Sequence, residues 1–118
     1  MQRILIVDDE YDIREMLIDF LKMTGYEVVT AVNGEEGFNL FQKQKFDAAI
    51  LDIKMPKMNG IECARKIKKI KPDFPILMMT GVLEFYSEDE IFAIGVNDLI
   101  LKPLDIKEIG RILKKYFS

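Results

Sequence analysis

The chain has 118 residues, a formal net charge of −3 and hydrophobic side chains at 49% of its positions. This length is typical of one domain with its own core, and we expect a single domain over residues 1–118. Charges of both signs are spread along the chain, which argues against nucleic acid and against a polybasic membrane anchor. No apolar stretch approaches the roughly 20 residues of a membrane span, and Met1 leads directly into a strand-like run. We therefore expect a cytoplasmic protein with neither nucleic acid nor a membrane as partner.

Strand-like apolar runs alternate with helical patterns along the whole chain. The runs lie at residues 3–7, 27–31, 48–51, 76–79 and 98–101. Helical patterns lie between and after them: Ile13 to Thr24, ended by Gly25; 34–43; 60–70, stopped by Pro72; a short helix opened by Ser87 and ending near Gly95; and 105–116. This alternation predicts an α/β fold of five βα units, a doubly wound open parallel sheet covered by helices on both faces.

Polar side chains follow four of the predicted strands at the point where each strand ends. Asp8 and Asp9 follow the first strand, and Asp52 follows the third. Thr80 follows the fourth and Lys102 the fifth. Because the carboxyl ends of parallel strands meet at one edge of the sheet, where such folds bind ligands, we expect these side chains to lie close together.

These residue types suit phosphoryl transfer to a carboxylate. Magnesium prefers oxygen ligands, which Asp9 and Asp52 can supply. A carboxylate can attack phosphorus, so Asp52 is the candidate nucleophile, with Lys102 to neutralise the incoming charge and Thr80 to donate a hydrogen bond. The chain contains no histidine. A phosphohistidine donor must therefore belong to another molecule.

Each residue also has a simpler explanation when taken alone. Asp8 and Asp9 could only cap the following helix, Lys102 before Pro103 could be a solvated lysine at a turn, and Thr80 could be an ordinary strand-end threonine. Their convergence at the ends of neighbouring parallel strands favours a shared site.

Four segments of the chain resemble the response-regulator receiver (CheY-like) domain of two-component systems. They are Val7-Asp8-Asp9-Glu10, Leu51-Asp52-Ile53-Lys54-Met55-Pro56-Lys57-Met58-Asn59-Gly60, Thr80-Gly81 and Lys102-Pro103-Leu104. The resemblance covers essentially the whole chain. It implies a flavodoxin-like fold with strand order 2-1-3-4-5.

The resemblance also implies roles for the site residues. Asp52 would accept a phosphoryl group from the histidine of a sensor kinase or a histidine phosphotransfer protein, and Lys102 would contact that group. Magnesium would bind Asp9, Asp52 and the backbone carbonyl of Lys54, while Asp8 would hold a metal-bound water. The family implies a phosphoacceptor signalling domain and not an enzyme, with self-catalysed transfer from small phosphodonors and slow self-hydrolysis. It also implies a downstream protein target and a cis peptide bond before Pro103.

Two features bear on the type of receiver. The family commonly has Tyr or Phe three residues before the lysine, where this chain has Leu99, which puts the usual threonine-aromatic switch in doubt. Phe85 and Tyr86 could offer another aromatic surface, although packing is the simpler expectation. The length predicts a receiver with no effector domain. Together with Lys54 two places after Asp52, it is similar to the single-domain regulator of the sporulation phosphorelay.

Two other functions stay open at this point. A magnesium-dependent phosphohydrolase with an aspartyl-phosphate intermediate would usually have Asp-x-Asp after the first strand, where this chain has Asp8-Asp9-Glu10. A flavodoxin-like nucleotide-binding module would need a phosphate-binding loop there, and the two carboxylates would repel phosphate.

A rim of apolar side chains is expected around the site. Tyr11, Ile13 and Arg14 begin the first helix, and Leu104 and Ile106 follow Pro103. A donor helix could cover these residues while its histidine reaches Asp52. Ordinary packing is the alternative for Ile13 and Ile106.

Overall fold

Five parallel strands form one sheet in the computed structural model, which describes residues 1–55, 57–81 and 86–117. The strands are β1 (Arg3–Val7), β2 (Glu27–Ala31), β3 (Ala48–Asp52), β4 (Ile76–Thr80) and β5 (Asp98–Leu101). The helices are α1 (Tyr11–Met23), α2 (Gly34–Lys43), α3 (Gly60–Ile70), α4 (Glu88–Ala93) and α5 (Ile106–Phe117). The strand order is β2-β1-β3-β4-β5, and every neighbouring pair is parallel. The predicted architecture and strand order are confirmed.

The predicted boundaries differ from the structure by one or two residues at five elements. Helix α1 begins two residues earlier and ends one residue earlier than predicted, and α4 ends at Ala93, before the predicted end near Gly95. Strands β3 and β4 continue through Asp52 and Thr80, because Asp52 still pairs with Met79 and Thr80 with Leu101. Helix α5 begins one residue later than predicted. Asp105 lies outside it and accepts a hydrogen bond from the Lys107 amide at 3.0 Å, so that this side chain caps the first turn.

Alternation along the strands divides the core into two layers. On β1, Leu5 and Val7 point to the side of α2, α3 and α4, whereas Ile4 and Ile6 point to the side of α1 and α5. The α1/α5 layer contains Leu17, Leu21, Ile109, Ile112 and Leu113. Since both faces of the sheet are buried, polar side chains reach solvent mainly where the strands end.

Local capping residues fix where the helices start. The Asn33 and Asn59 side chains accept hydrogen bonds from the amides of Glu36 and Glu62 at 2.8 and 3.0 Å. Ser87 and Glu90 form the predicted capping box at the start of α4. At the other end of α1, Gly25 has φ +96°, a left-handed conformation that glycine adopts readily and that ends the helix as predicted. Within the described ranges, no helix combines the length and apolarity needed to cross a bilayer.

Candidate functional site

The acidic pair lies where β1 ends. Asp8 is completely buried, and its amide donates a hydrogen bond to the Ala31 carbonyl at 3.1 Å. One carboxylate oxygen of Asp8, Oδ1, accepts a hydrogen bond from the Glu10 amide at 2.8 Å. Glu10 is the N-cap residue of α1, and its side chain makes no capping hydrogen bond. Asp8 therefore binds the amide of the N-cap residue and does not cap the helix, so the helix-cap explanation is wrong for Asp8. Its second oxygen, Oδ2, faces Lys102.

Asp52 ends β3 and is 4% exposed. The loop that follows is tied to the sheet, since the Ile53 amide donates to the Met79 carbonyl at 3.0 Å and the Gly60 amide donates to the Ile53 carbonyl at 2.9 Å. A side chain at position 60 would overlap the Asp52 carbonyl oxygen. Glycine at position 60 thus allows α3 to start directly against the backbone that carries Asp52.

Lys102 brings a positive charge into the acidic pocket. Its Nζ lies 3.4 Å from Asp52 Oδ2, 3.3 Å from Asp8 Oδ2 and 3.1 Å from Glu10 Oε1, and its side chain is only 15% exposed. Its amide donates to the Thr80 carbonyl at 2.8 Å. The Lys102–Pro103 peptide bond is cis, which confirms that prediction. Lys102 is therefore not a solvated lysine at a turn.

Thr80 and Lys54 complete the set of predicted residues. Thr80 is 2% exposed at the end of β4, one residue beyond Met79, the register partner of Asp52. The Lys54 side chain is exposed in the loop that follows Asp52. The structure thus brings Asp8, Asp52 and Lys102 into contact and places Thr80 on the adjoining strand end.

Two contacts at this site were not predicted. The sequence motif included Glu10, but its ion pair with Lys102 was not anticipated. Arg14, expected at the rim, also donates from Nη1 to the Asp8 carbonyl oxygen at 2.8 Å. The only available signal was proximity, because both residues lie within six residues of Asp8 along the chain.

Burial and neighbouring charges shift the ionisation of these groups. Burial, reinforced by the negative charge of Asp8, raises the pKa of Asp52 to about 6, although Lys102 opposes the shift. Burial also raises the pKa of Asp8 against the opposing effect of the Glu10 amide and Lys102. Burial lowers the pKa of Lys102, but the Asp52 and Asp8 carboxylates outweigh it, so the net shift is upward. Lys102 therefore stays protonated at neutral pH.

The acidic cluster has the composition of a site for a hard cation. One carboxylate oxygen from each of Asp8, Asp9, Glu10 and Asp52 can be chosen so that all four lie within 4.8 Å of one another. Each is an oxygen donor of the kind magnesium prefers, and Asp9 and Glu10 are exposed enough to leave room for water. The residues present therefore fit a magnesium ion.

The position of the usual switch aromatic is aliphatic in this chain. Leu99 is half-buried and packs against the core on the α2, α3 and α4 side of the sheet. Tyr86 is also half-buried and packs against the same layer, so packing accounts for it. Phe85 lies outside the described residues.

The predicted rim is partly exposed. Tyr11 is 65% exposed at the start of α1. Ile13, Leu104 and Ile106 are half-buried and pack against the α1/α5 layer of the core. Packing therefore explains part of their burial, while one surface of each stays accessible beside the site.

Comparison with known proteins gives consistent matches. The family model described as the response regulator receiver domain matches residues 4–114. The chain is 36% identical over 115 residues to Sporulation initiation phosphotransferase F of Bacillus subtilis, covering 98% of this chain and 93% of that protein. It is 42% identical over 108 residues to the probable transcriptional regulator ycf27 of Guillardia theta, covering 92% of this chain and 42% of that protein.

A solved structure agrees with the sequence matches. Response regulator TrrA of Thermotoga maritima, crystallised in complex with Mg²⁺-BeF, superposes with a TM-score of 0.89 at 38% identity, covering 99% of this chain and 100% of that one. The chain spans 42% to 55% of the length of several curated relatives, so the expectation of a single domain without an effector stays a prediction. Since the family model and a relative of similar length both match nearly the whole chain, the chain belongs to the receiver domains of two-component response regulators.

Proposed function

We propose that Asp52 accepts a phosphoryl group from the phosphohistidine of a sensor kinase or a histidine phosphotransfer protein, in the cytoplasm. The phosphorylated chain then signals by contact with a downstream protein. The observation that carries the proposal is the buried Asp52 carboxylate beside the Lys102 ammonium, 3.4 Å away, in a pocket that also contains Asp8. Receiver-domain membership supports the histidine donor.

The ionisation of Asp52 suits a nucleophile. With a pKa of about 6, the carboxylate is ionised in most molecules near neutral pH yet more basic than an ordinary aspartate. One of its oxygens attacks phosphorus as the bond between phosphorus and the donor imidazole nitrogen breaks. That nitrogen keeps the electron pair of the broken bond, and a donor whose second ring nitrogen carries a proton leaves as a neutral histidine.

Lys102 and Thr80 act on the phosphoryl oxygens in this proposal. Lys102 is protonated and already within 3.4 Å of Asp52 Oδ2, so it can move from a carboxylate to a phosphoryl oxygen with little displacement. The Thr80 hydroxyl would donate a hydrogen bond from the adjoining strand end. Both groups stabilise the negative charge that the phosphoryl group carries into an acidic pocket.

Magnesium would be held by Asp9, Asp52 and the Lys54 backbone carbonyl, with Asp8 holding a metal-bound water. When bound, the ion neutralises charge on the phosphoryl oxygens. The oxygen-only cluster of Asp8, Asp9, Glu10 and Asp52 supports this assignment, as does the Mg²⁺ in the related TrrA complex. The protein's own contribution is to hold the carboxylates together at the strand ends against their mutual repulsion.

The experiment that tests the proposal compares the wild-type chain with Asp52→Asn in magnesium and acetyl phosphate. We expect stoichiometric labelling of the wild type and none of the variant, because the amide is close in shape but is not a nucleophile. Intact-mass measurement reads the added phosphoryl group. Full labelling of Asp52→Asn would contradict the assignment. Multiple turnover of p-nitrophenyl phosphate by the wild type would favour a phosphohydrolase.

A further inference from the structure

A groove lies between α1 and α5 and shares no residue with the acidic site. Its volume is about 280 Å³, and its lining includes Phe20 and Tyr26 together with Gly110 of α5. A Cβ at position 110 would lie 3.0 Å from Phe20 Cζ, so the glycine lets the ring lie directly against the α5 backbone. The Tyr26 ring packs against Phe117, with 6.0 Å between ring centroids. The floor of the groove is therefore formed by two aromatic rings, each held in place by packing against α5.

One wall of the groove is positively charged. Lys107, Arg111 and Lys114 line it at spacing i, i+4 and i+7 of α5, which places them on one helix face over roughly 10 Å. Among the described residues, the cations that pair with carboxylates are Arg3, Lys102 and Lys115, the last with Asp98 at 3.6 Å. No carboxylate in the described parts of the chain lies within ion-pair distance of Lys107, Arg111 or Lys114.

The combination is informative because the chain as a whole is acidic. Its net charge is −3, yet three exposed cations with no ion pair among the described residues lie together beside the half-buried rings of Phe20 and Tyr26. We propose that this α1/α5 groove is a docking site for an acidic amphipathic helix of a protein partner. Carboxylates repeated along one side of that helix would face Lys107, Arg111 and Lys114, while an apolar side chain enters against Phe20 and Tyr26.

Helical spacing favours a helix as the occupant. The three cations follow the 3.6-residue period, and an acidic helix lying along α5 repeats its own carboxylates with the same period. The aromatic floor can bury an apolar side chain of the ligand, which adds to the charge attraction. A nucleic-acid backbone has no such side chain to bury. The groove shares no residue with the acidic site, so an occupied groove leaves Asp52 open to a small phosphodonor such as acetyl phosphate.

The test uses the full chain and a synthetic helical peptide of about 18 residues, long enough to form a helix. The peptide carries glutamates at i, i+4 and i+7 with a leucine or phenylalanine beside them, and a matched peptide carries glutamine instead. We expect fluorescence anisotropy to detect binding of the glutamate peptide only. Raising sodium chloride from about 0.05 M to about 0.5 M should weaken that binding, because the rim charges are exposed to screening.

Two triple variants separate the groove from the overall charge. Lys107→Gln with Arg111→Gln and Lys114→Gln should weaken binding about tenfold, as three exposed ion pairs are lost. The matched control, Lys43→Gln with Lys45→Gln and Lys71→Gln, removes three exposed lysines that do not line the groove and should bind as wild type does. Unchanged circular dichroism and acetyl phosphate labelling show that both variants are folded.

Three results would overturn the proposal. The first is equal binding loss in the two triple variants. The second is equal binding of the glutamate and glutamine peptides. The third is no peptide binding, while duplex DNA or phosphatidylserine vesicles bind the wild type and fail to bind the groove variant. That last result would assign the groove to a different anionic partner. None of these results bears on Asp52 labelling, so failure here leaves the proposed function standing.

Discussion

Asp52→Asn should stabilise the metal-free protein at neutral pH. Burial and the neighbouring Asp8 charge raise the pKa of Asp52 to about 6, compared with an ordinary value of 3.8. The native state therefore binds the Asp52 proton more tightly than the unfolded chain does. Ionisation of this carboxylate at neutral pH lowers the free energy of unfolding of the wild type. The neutral asparagine does not ionise, so the variant avoids this loss.

The expected gain in stability of Asp52→Asn follows from the difference between the pKa of Asp52 in the native state and in the unfolded chain. A gap of about two units corresponds to about 3 kcal/mol at pH 7, because each unit is worth about 1.4 kcal/mol. The preferential protonation of native Asp52 contributes fully to the free energy of unfolding of the wild type below pH 3.8. That contribution is lost as pH rises through about 6. The advantage of Asp52→Asn should therefore be about 3 kcal/mol at pH 7 and about 0.6 kcal/mol at pH 4.

Urea and thermal unfolding in EDTA, from pH 4 to pH 8, measure this difference. For a chain of this length, the neutral-pH gain corresponds to roughly 10 °C in Tm. Asp19→Asn is the matched control, because Asp19 is an exposed carboxylate of α1 with no hydrogen bond or ion pair among the described residues. Its unfolding free energy should stay within about 0.5 kcal/mol of the wild-type value.

Either of two results would show that ionisation of Asp52 does not destabilise the native protein. One is an Asp52→Asn variant no more stable than wild type at pH 7 in EDTA. The other is a gain of equal size at pH 4 and pH 7, since a pH-independent gain cannot come from ionisation. Magnesium adds a further check, because it should stabilise the wild type and have less effect on the variant, which lacks one carboxylate ligand.

Further predictions concern the metal, the rim and the loop. Asp9→Ala should weaken magnesium binding by about an order of magnitude or more in isothermal titration, because an oxygen ligand is lost. Leu104→Ala should slow transfer from a protein donor but leave acetyl phosphate labelling near normal, since a small donor does not need the rim. Arg14→Ala should slow both reactions, because its guanidinium holds the Asp8 carbonyl at 2.8 Å. Lys57→Gly should raise the unfolding free energy by about 0.5 kcal/mol, since Lys57 has φ +64° and strain relief exceeds the added unfolded-state entropy.

Three of these predictions have a control variant or a contrary result. Asp12→Ala removes an exposed α1 carboxylate outside the cluster and should leave magnesium affinity unchanged; parallel losses in Asp9→Ala and Asp12→Ala would argue against Asp9 as a ligand. Loss of acetyl phosphate labelling in Leu104→Ala would place Leu104 in support of the site. Lys57→Ala keeps a side chain at positive φ, so a gain as large as that of Lys57→Gly would show that backbone strain is not the cause.

The sequence was sufficient for those parts of the fold that depend on periodicity and chain direction. Alternating apolar runs and helical patterns located all ten elements, and their parallel order brought the strand ends to one edge. One-residue differences remained where a polar side chain continues a strand, as Asp52 does, or caps a helix, as Asp105 does. In both cases the outcome depends on hydrogen bonds to a neighbouring segment.

Side-chain contacts within the site were harder to predict. Strand ends place Asp8, Asp52 and Lys102 near one another, but they do not determine that the lysine ammonium lies among Asp8, Asp52 and Glu10. The Arg14 contact with the Asp8 carbonyl also depends on rotamers chosen in the folded pocket. The basic wall of the α1/α5 groove was missed because overall charge conceals a local cluster on one helix face.

The lysine that neutralises the acidic pocket is supplied by the last strand. Lys102 reaches Asp8 across 94 residues of sequence. During synthesis from the N-terminus, β1, β3 and their carboxylates therefore leave the ribosome well before their counter-charge does. Until β5 is made and joins the edge of the sheet, the nascent chain has the Asp52 carboxylate without the Lys102 ammonium beside it. If Asp52 is the phosphoacceptor as proposed, the order of the strands delays phosphorylation until translation of this domain is nearly complete.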